Sequence, residues 1–386
     1  MTIDDESGDL DQLIQELEQL PVDVPTGGAG RLDGWLRLLA DREGSDLLLV
    51  AGEPPTLRID GRLVRSGGPA FDGGEIEDMV LSELAPHAQR QYRDHGIADA
   101  SLRIGGVGRF RVNLHRERGR AASAIRLLPR RVPLLSTLNL PPGTDLLTRI
   151  PRGLVLIGGA TGSGKTTTLA SVVEEINRRD AKHIITIEDP IEYEHTNQRS
   201  IIQQIEVGID APDFPTALRS ALRQAPDVIV VGEMRDPETM RIALAAGETG
   251  HLVFSTLHTT DLASTLARLT DSFPAERQPT IRQEIAASLS AVFVQTLISR
   301  QTGGRVPAAE LLVVGYGARQ HIRKNTLQHL HQEVTITRKH GSFSLEESLA
   351  RLVHQGVIPR SDAMLRAHHP ENFEHAIAAL LGETAT

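Results

Sequence analysis

The run Gly159-Ala160-Thr161-Gly162-Ser163-Gly164-Lys165-Thr166 has residue types and spacing that suit a bound phosphate chain. It fits G-x-x-x-x-G-K-[ST] in full. Gly159, Gly162 and Gly164 let backbone N–H groups turn inward, with Thr161 and Ser163 between them. The helix that follows adds the partial positive charge of its N-terminus. Lys165 is placed to reach β- and γ-phosphates and the Thr166 hydroxyl to bind Mg²⁺, with Thr167 next on the same helical turn.

Hydrolysis also needs acids near the metal and the attacking water. Val228–Val231 reads as a strand, and Glu233 lies just beyond its C-terminal end, where open α/β sheets bind ligands. The plainer reading is an ion pair from Glu233 to Arg235 or Arg241. A second strand, Ile184–Ile187, runs into Glu188-Asp189-Pro190-Ile191-Glu192-Tyr193. Carboxylates so crowded are costly without a cation or a catalytic use. One would activate water, while Glu188, Asp189 or Glu233 would assist Thr166 at the metal through water. A solvated acidic turn is the alternative.

A third strand lies between His251 and His258. A histidine there is suited to sense a γ-phosphate, although each also reads as structural. Neither has further ligands at zinc spacing. Residues 103–131 carry nine arginines, Arg111 and Arg126 among them, against the single acid Glu117. Three uses stay open: nucleic-acid binding, arginine fingers on phosphate, or a solvated sheet face.

These residues need a scaffold of buried strands with helices between them. Gly153–Ile157, Ile184–Ile187, Val228–Val231 and Leu252–Ser255 are apolar runs separated by helical stretches, the signature of a mostly parallel sheet. Residues 136–270 therefore read as an α/β core, and 271–370 as mainly helical. A short strand pair is expected there, Ala308–Val314 with Glu333–Thr337. Residues 371–386 read as a frayed tail.

Residues 31–135 read as a small α+β domain. It holds helices near 33–43 and 74–93, strand Asp46–Val50, and a hairpin of Thr56–Ile59 and Arg62–Val64 turned at Asp60-Gly61. Arg109–Leu114 and Ala121–Leu128 form a further strand pair. Before them, leucines and Ile14 at helical spacing predict an amphipathic helix over 9–20, and 21–30 reads as a linker.

The bulk composition narrows the class. Residues 1–20 hold seven acids and no Lys or Arg, which accounts for most of the net charge of −9. The remainder is nearly neutral, and aromatics are only 3%, which disfavours a nucleic-acid translocase that stacks bases. There is no cysteine, which excludes disulfides and cysteine-ligated zinc. No secretory signal and no apolar run of membrane-spanning length is visible, so a cytoplasmic protein is expected, peripheral to the inner face of the membrane.

Four segments, GATGSGKTTTLAS (159–171), TIEDPIEY (186–193), LRSALRQAPDVIVVGEMRDPETMRIAL (218–244) and GETGHLVFSTLHTTD (247–261), together resemble the secretion-superfamily ATPases. In that family they are the Walker A, Asp box, Walker B and His box. Over about 31–370 the chain is most similar to the type IV pilus retraction motors, which drive twitching motility. The run containing Asp46 (44–63), RFRVNLHRERGR (109–120) and LARLTDSFPAERQ (266–278) add to the likeness. The four-cysteine module usual in pilus-assembly and type II secretion ATPases is missing. Departures include Leu48 where histidine is common and Ala160 where proline is common.

The resemblance implies a hexameric ring with a PAS-like N-terminal domain and a RecA-like P-loop ATPase core per protomer. ATP and Mg²⁺ would bind between the domains and at a protomer boundary. It implies Lys165 and Thr166 on phosphate and metal, Glu192 activating water, and Glu233 at the Walker B strand end. His251 and His258 fill the His-box positions, and Arg111 and Arg126 reach the γ-phosphate. The implied partners are five further copies and an inner-membrane pilus platform. Assembly, type II secretion and DNA uptake are the alternative tasks within the superfamily.

Overall fold

The computed structural model describes residues 28–383. The helix expected at 9–20 lies outside them. Residues 28–30, expected to close the linker, instead open a helix. The chain divides into two compact units after Arg130, where the sequence reading placed a boundary at 135.

The first unit contains α1 (Gly28–Asp41), β1 (Asp46–Val50), β2 (Thr56–Ile59), β3 (Arg62–Arg65), α2 (Gly73–Leu81), α3 (Pro86–His95), β4 (Ile97–Ile104), β5 (Gly108–Glu117) and β6 (Arg120–Leu127). Its six strands form one antiparallel sheet in the order β3-β2-β1-β6-β5-β4. Asp60 and Gly61 take φ of 48° and 81°, the doubly positive pair that a tight hairpin turn requires. The single helix expected near 74–93 is two helices. Asp72 and Glu75 form a capping box on α2, and Pro86 opens α3. Trp35, Leu36 and Leu39 of α1 share a core with Ile76, Leu47, Phe110 and Ile125.

The second unit begins with β7 (Gly153–Gly158), α4 (Lys165–Arg179), β8 (His183–Glu188), β9 (Ile201–Glu206), α5 (Phe214–Ala221), β10 (Val228–Val231), α6 (Pro237–Glu248), β11 (Leu252–Leu257), α7 (Leu262–Asp271) and α8 (Gln278–Ser288). It continues with β12 (Leu289–Ser299), β13 (Arg305–Val313), α9 (Tyr316–Lys324), α10 (Leu330–Ile336), α11 (Leu345–His354), α12 (Arg360–Met364) and α13 (Pro370–Glu383). Seven strands form one sheet in the order β13-β12-β7-β11-β10-β8-β9. All neighbours are parallel except β12 and β13.

Strand alternation sends side chains to two separate cores. Leu154, Leu156, Ile229 and Val231 meet α5 to α9 on one face. Val155, Ile157, Val228 and Val230 meet Leu169, Val172 and Ile176 of α4 on the other. With both faces covered, β7, β10 and β11 are buried at every position.

Three expectations are corrected. The sheet does not stop at 270: β12 and β13 continue it, and the helical region expected over 271–370 includes these two strands. Glu333–Thr337 is not a strand, because Leu330, Glu333 and Val334 bury one face of α10 at helical spacing. Ala308 pairs with Thr296 of β12 instead. Residues 371–383 are not frayed, since α13 buries Phe373 completely and Ile377 nearly so, against Leu345 and Leu349 of α11.

Glu310 of β13 is a buried carboxyl whose Oε1 accepts the Leu262 N–H at 3.1 Å, tying the start of α7 to the sheet. Burial, with the charges of Glu346 and Asp261 added, pushes it up from 4.5 to about 8. Between those values the folded protein holds a proton that the unfolded chain has released. Stability should therefore fall as pH rises through that window, by about 1.4 kcal/mol per pH unit. Denaturant unfolding across the window should show this slope, and Glu310→Gln should flatten it. An unchanged slope in the variant would assign the titration to another group.

Candidate nucleotide site

Four adjacent parallel strands end level with one another. Leu156 of β7 lies beside Ser255 of β11, Ser255 beside Val231 of β10, and Val231 beside Ile187 of β8. Each strand passes at its C-terminal end into one of the motif loops. Walker A follows β7, the His box follows β11, Glu233 follows β10 and the Asp box follows β8. Parallel pairing thus puts segments as distant as 159 and 258 on one edge.

The loop after β7 is packed too closely for side chains at its ends. A Cβ on Gly159 would lie 2.3 Å from Ser163 Oγ and 2.6 Å from the Gln295 carbonyl oxygen. Gly164, at φ 88°, caps α4 in the left-handed region. Lys165 is 7% exposed, and its Nζ donates to the carbonyls of Gly159 at 2.8 Å and Ala160 at 2.9 Å. Burial lowers its pKa, while Glu233 and Glu192 act in the opposite direction. Thr161 and Gly162 are exposed, Ser163 is buried, and Thr166 and Thr167 are half-buried on the first turn of α4.

His258 faces this lysine. Its Nδ1 lies 3.5 Å from Lys165 Nζ and 3.4 Å from Thr161 Oγ1. An ammonium has only protons to offer, so Nδ1 is the acceptor and the ring proton sits on Nε2. Nε2 points to Glu233 Oε2 at 3.8 Å. Burial and the neighbouring Lys165 charge lower the His258 pKa below 6.5, favouring this neutral form. Glu233 also pairs with Arg235 at 2.6 Å, so the plainer ion pair and the position at the site are both realised.

The Asp-box acids separate by environment. Glu188 accepts from Thr186 Oγ1 at 2.7 Å and Gln204 Nε2 at 3.3 Å, and from the Glu192 backbone N–H. Burial pushes its carboxyl up. Its oxygens are thus engaged in holding the turn. Asp189 is exposed and Glu192 half-buried. Of the three, Glu192 is the one whose charge acts on Lys165.

His251 is not brought to this edge within the chain. It precedes β11, so the six residues of that strand separate it from His258 by about 20 Å. Its carbonyl accepts the Gly153 N–H and its Nδ1 faces the Ala246 carbonyl at 3.2 Å, which closes the turn after α6.

In the first unit, strand register forms a polar row. Arg58 of β2, Asp46 of β1, Arg126 of β6 and Arg111 of β5 are successive cross-strand partners. Asp46 Oδ1 accepts from Arg126 Nε at 2.8 Å, and its Oδ2 lies 3.4 Å from Arg58 Nε. Directly opposed arginines repel. Asp46 offsets that cost and fixes the Arg126 guanidinium, leaving Arg111 and Arg126 as an exposed cationic pair.

Several contributors were absent from the sequence reading. Gln295 of β12 donates from Nε2 to the Ser163 carbonyl at 2.6 Å and accepts from Thr168 Oγ1 at 2.7 Å. The Tyr193 hydroxyl meets Thr167 Oγ1 at 2.9 Å, joining the Asp box to α4. Thr259 and Thr265 share a buried hydrogen bond of 2.7 Å against Gly158, where an added Cβ would lie 2.8 Å from Thr259 Oγ1. The available signal was polarity inside an apolar run, as with Gln295 in LSAVFVQTLIS.

The donor set suits a nucleoside phosphate with Mg²⁺. A desolvated lysine can exchange two neutral carbonyl acceptors for anionic phosphate oxygens, which hold an ammonium more strongly. Thr166 and Glu233 offer hard oxygen ligands nearby. Comparison with known proteins supports the nucleotide. Residues 138–358 match the family described as type II/IV secretion system protein. The type IV pilus retraction ATPase PilT of Pseudomonas aeruginosa is 40% identical over 338 residues, covering 88% of this chain and 98% of that one. A twitching motility protein of Neisseria gonorrhoeae is 40% identical over 82% of this chain and 85% of its own length. A crystal structure of the pilus retraction motor PilT with bound ADP superposes with a TM-score of 0.79 at 39% identity, covering 88% of this chain and 98% of that one. The chain therefore belongs to the type II/IV secretion system protein family, alongside its pilus retraction ATPases.

Proposed function

We propose that this ATPase works as a hexameric motor that withdraws type IV pili and so drives twitching motility. The observation that carries the nucleotide chemistry is Lys165, enclosed by Gly159 and Ala160 carbonyls and flanked by Glu233, Glu192 and His258. The assignment to retraction rests on the likeness to PilT along nearly the whole of that protein.

In this reading Lys165 binds the β- and γ-phosphates, and Thr166 holds Mg²⁺ with help from Glu233. Glu192 orients and activates the attacking water. Neutral His258 lies between Lys165 and Glu233, so a change in charge at either group acts on it. Arg111 and Arg126 are assigned to phosphate recognition, because paired guanidinium groups suit phosphate oxygens. Closure on ATP and release after hydrolysis then alternate, since only a ligand with unequal affinity for two states shifts them. The working surface is an inner-membrane pilus platform. Among the described residues no helix is long and apolar enough to cross a membrane.

Lys165→Ala should lower ATP hydrolysis by at least about a hundredfold, read as phosphate release. Activity near the parent's would remove the lysine from the site. The acid limb of the kcat/KM profile should lie below pH 6.5, because burial and Lys165 keep His258 neutral there. His258→Asn should abolish that limb, and a limb that persists in the variant belongs to another group. Deleting the gene in a piliated host should leave abundant pili and no surface movement, with the Lys165→Ala allele unable to restore motility. Loss of pili would make the protein an assembly motor, and unchanged piliation and movement would assign it to another transport task.

A further inference from the structure

The glycine-rich loop is tied within itself through Lys165 and the Ser163 N–H, and it is braced from outside by residue 295, on a different strand. Gln295 lies on β12 beside β7, with Val294 paired to Gly158. It is 3% exposed, and both ends of its amide are in use. Nε2 donates to the Ser163 carbonyl at 2.6 Å and Oε1 accepts from Thr168 Oγ1 at 2.7 Å. Its backbone oxygen would lie 2.6 Å from a Cβ at Gly159. One residue therefore touches the beginning of the loop, its end and the first turn of α4.

The direction of these bonds matters for an anion. A trans peptide sets its C=O and the following N–H in opposite directions. Drawing the Ser163 carbonyl towards Gln295 turns the Gly164 N–H the other way, into the loop. Thr168, whose own N–H bonds the Gly164 carbonyl at 2.9 Å, is held by the same amide. Only a side chain with a donor and an acceptor at this separation satisfies both partners.

We propose that Gln295 is a positioning residue for nucleotide binding: it fixes the Ser163–Gly164 peptide and the start of α4 so that loop N–H groups point at the phosphates. It acts through the loop and touches no reacting atom. The inference rests on the nucleotide-site reading and is independent of what the motor moves.

The test is titration of the full chain with a fluorescent ADP analogue and Mg²⁺, beside steady-state hydrolysis and the melting temperature of the nucleotide-free protein. Gln295→Met keeps volume and leaves both partners unpaired. It should weaken ADP binding about tenfold and raise KM for ATP similarly, with a smaller fall in kcat. Thr168→Val removes one of the two bonds and should weaken binding about threefold. Ile298→Val, on the same strand and away from the loop, should lower the melting temperature without changing ADP affinity.

ADP affinity in Gln295→Met within about twofold of the parent's overturns the proposal. So does a loss of affinity that Ile298→Val reproduces at equal loss of melting temperature. If Gln295→Met does not fold, unchanged binding in Thr168→Val overturns it. Lys165→Ala separates the two readings: if it binds ADP like the parent, the nucleotide-site assignment itself fails.

Discussion

A cation nearly removed from water must be compensated on every side, and Lys165 is that cation. At 7% exposure its ammonium reaches two carbonyl oxygens of its own loop and one imidazole nitrogen, in the fields of two carboxylates. The compensating groups come from four strand ends, those of β7, β8, β10 and β11. Leaving a buried charge short of partners costs several kcal/mol, so strand order, register and loop conformation are all constrained by it. The same arrangement suits a phosphate chain, because the carbonyl acceptors are neutral and replaceable while no carboxylate pairs directly with the lysine among the described residues.

The four signature segments were legible because their chemistry is local. A glycine pattern, a strand of Val and Ile followed by an acid, and a histidine after an apolar run each carry their meaning within about ten residues. The parallel sheet followed from the same runs. β12 and β13 were not legible as part of that sheet. Their segment follows a helical stretch, and an apolar run of that kind does not distinguish a strand from a buried helix. α13 was missed because its burial depends on two residues, Phe373 and Ile377, in an otherwise small or polar sequence.

Side-chain roles were less legible than positions. His251 and His258 look equivalent in sequence, seven residues apart, yet the strand between them carries them to opposite edges of the sheet. Glu188 and Glu192 look interchangeable in the Asp box. Hydrogen bonds from Thr186 and Gln204 make the first a fixture of the turn, and the charge of the second acts on the lysine. Gln295 and Asp46 act through partners 132 and 80 residues away, and no local pattern announces such pairs.

The link between Gln295 and Ser163 also bears on how the protein is made. During synthesis the glycine-rich loop leaves the ribosome long before β12 exists, and β13, which pairs beside β12, comes later still. Until then the loop lacks its brace and β7 has an open edge with unpaired backbone groups, a hazard for growing sheets. The brace on the loop arrives late, once most of the second unit is in place, so the order of synthesis sets the glycine-rich loop before the strand that supports it.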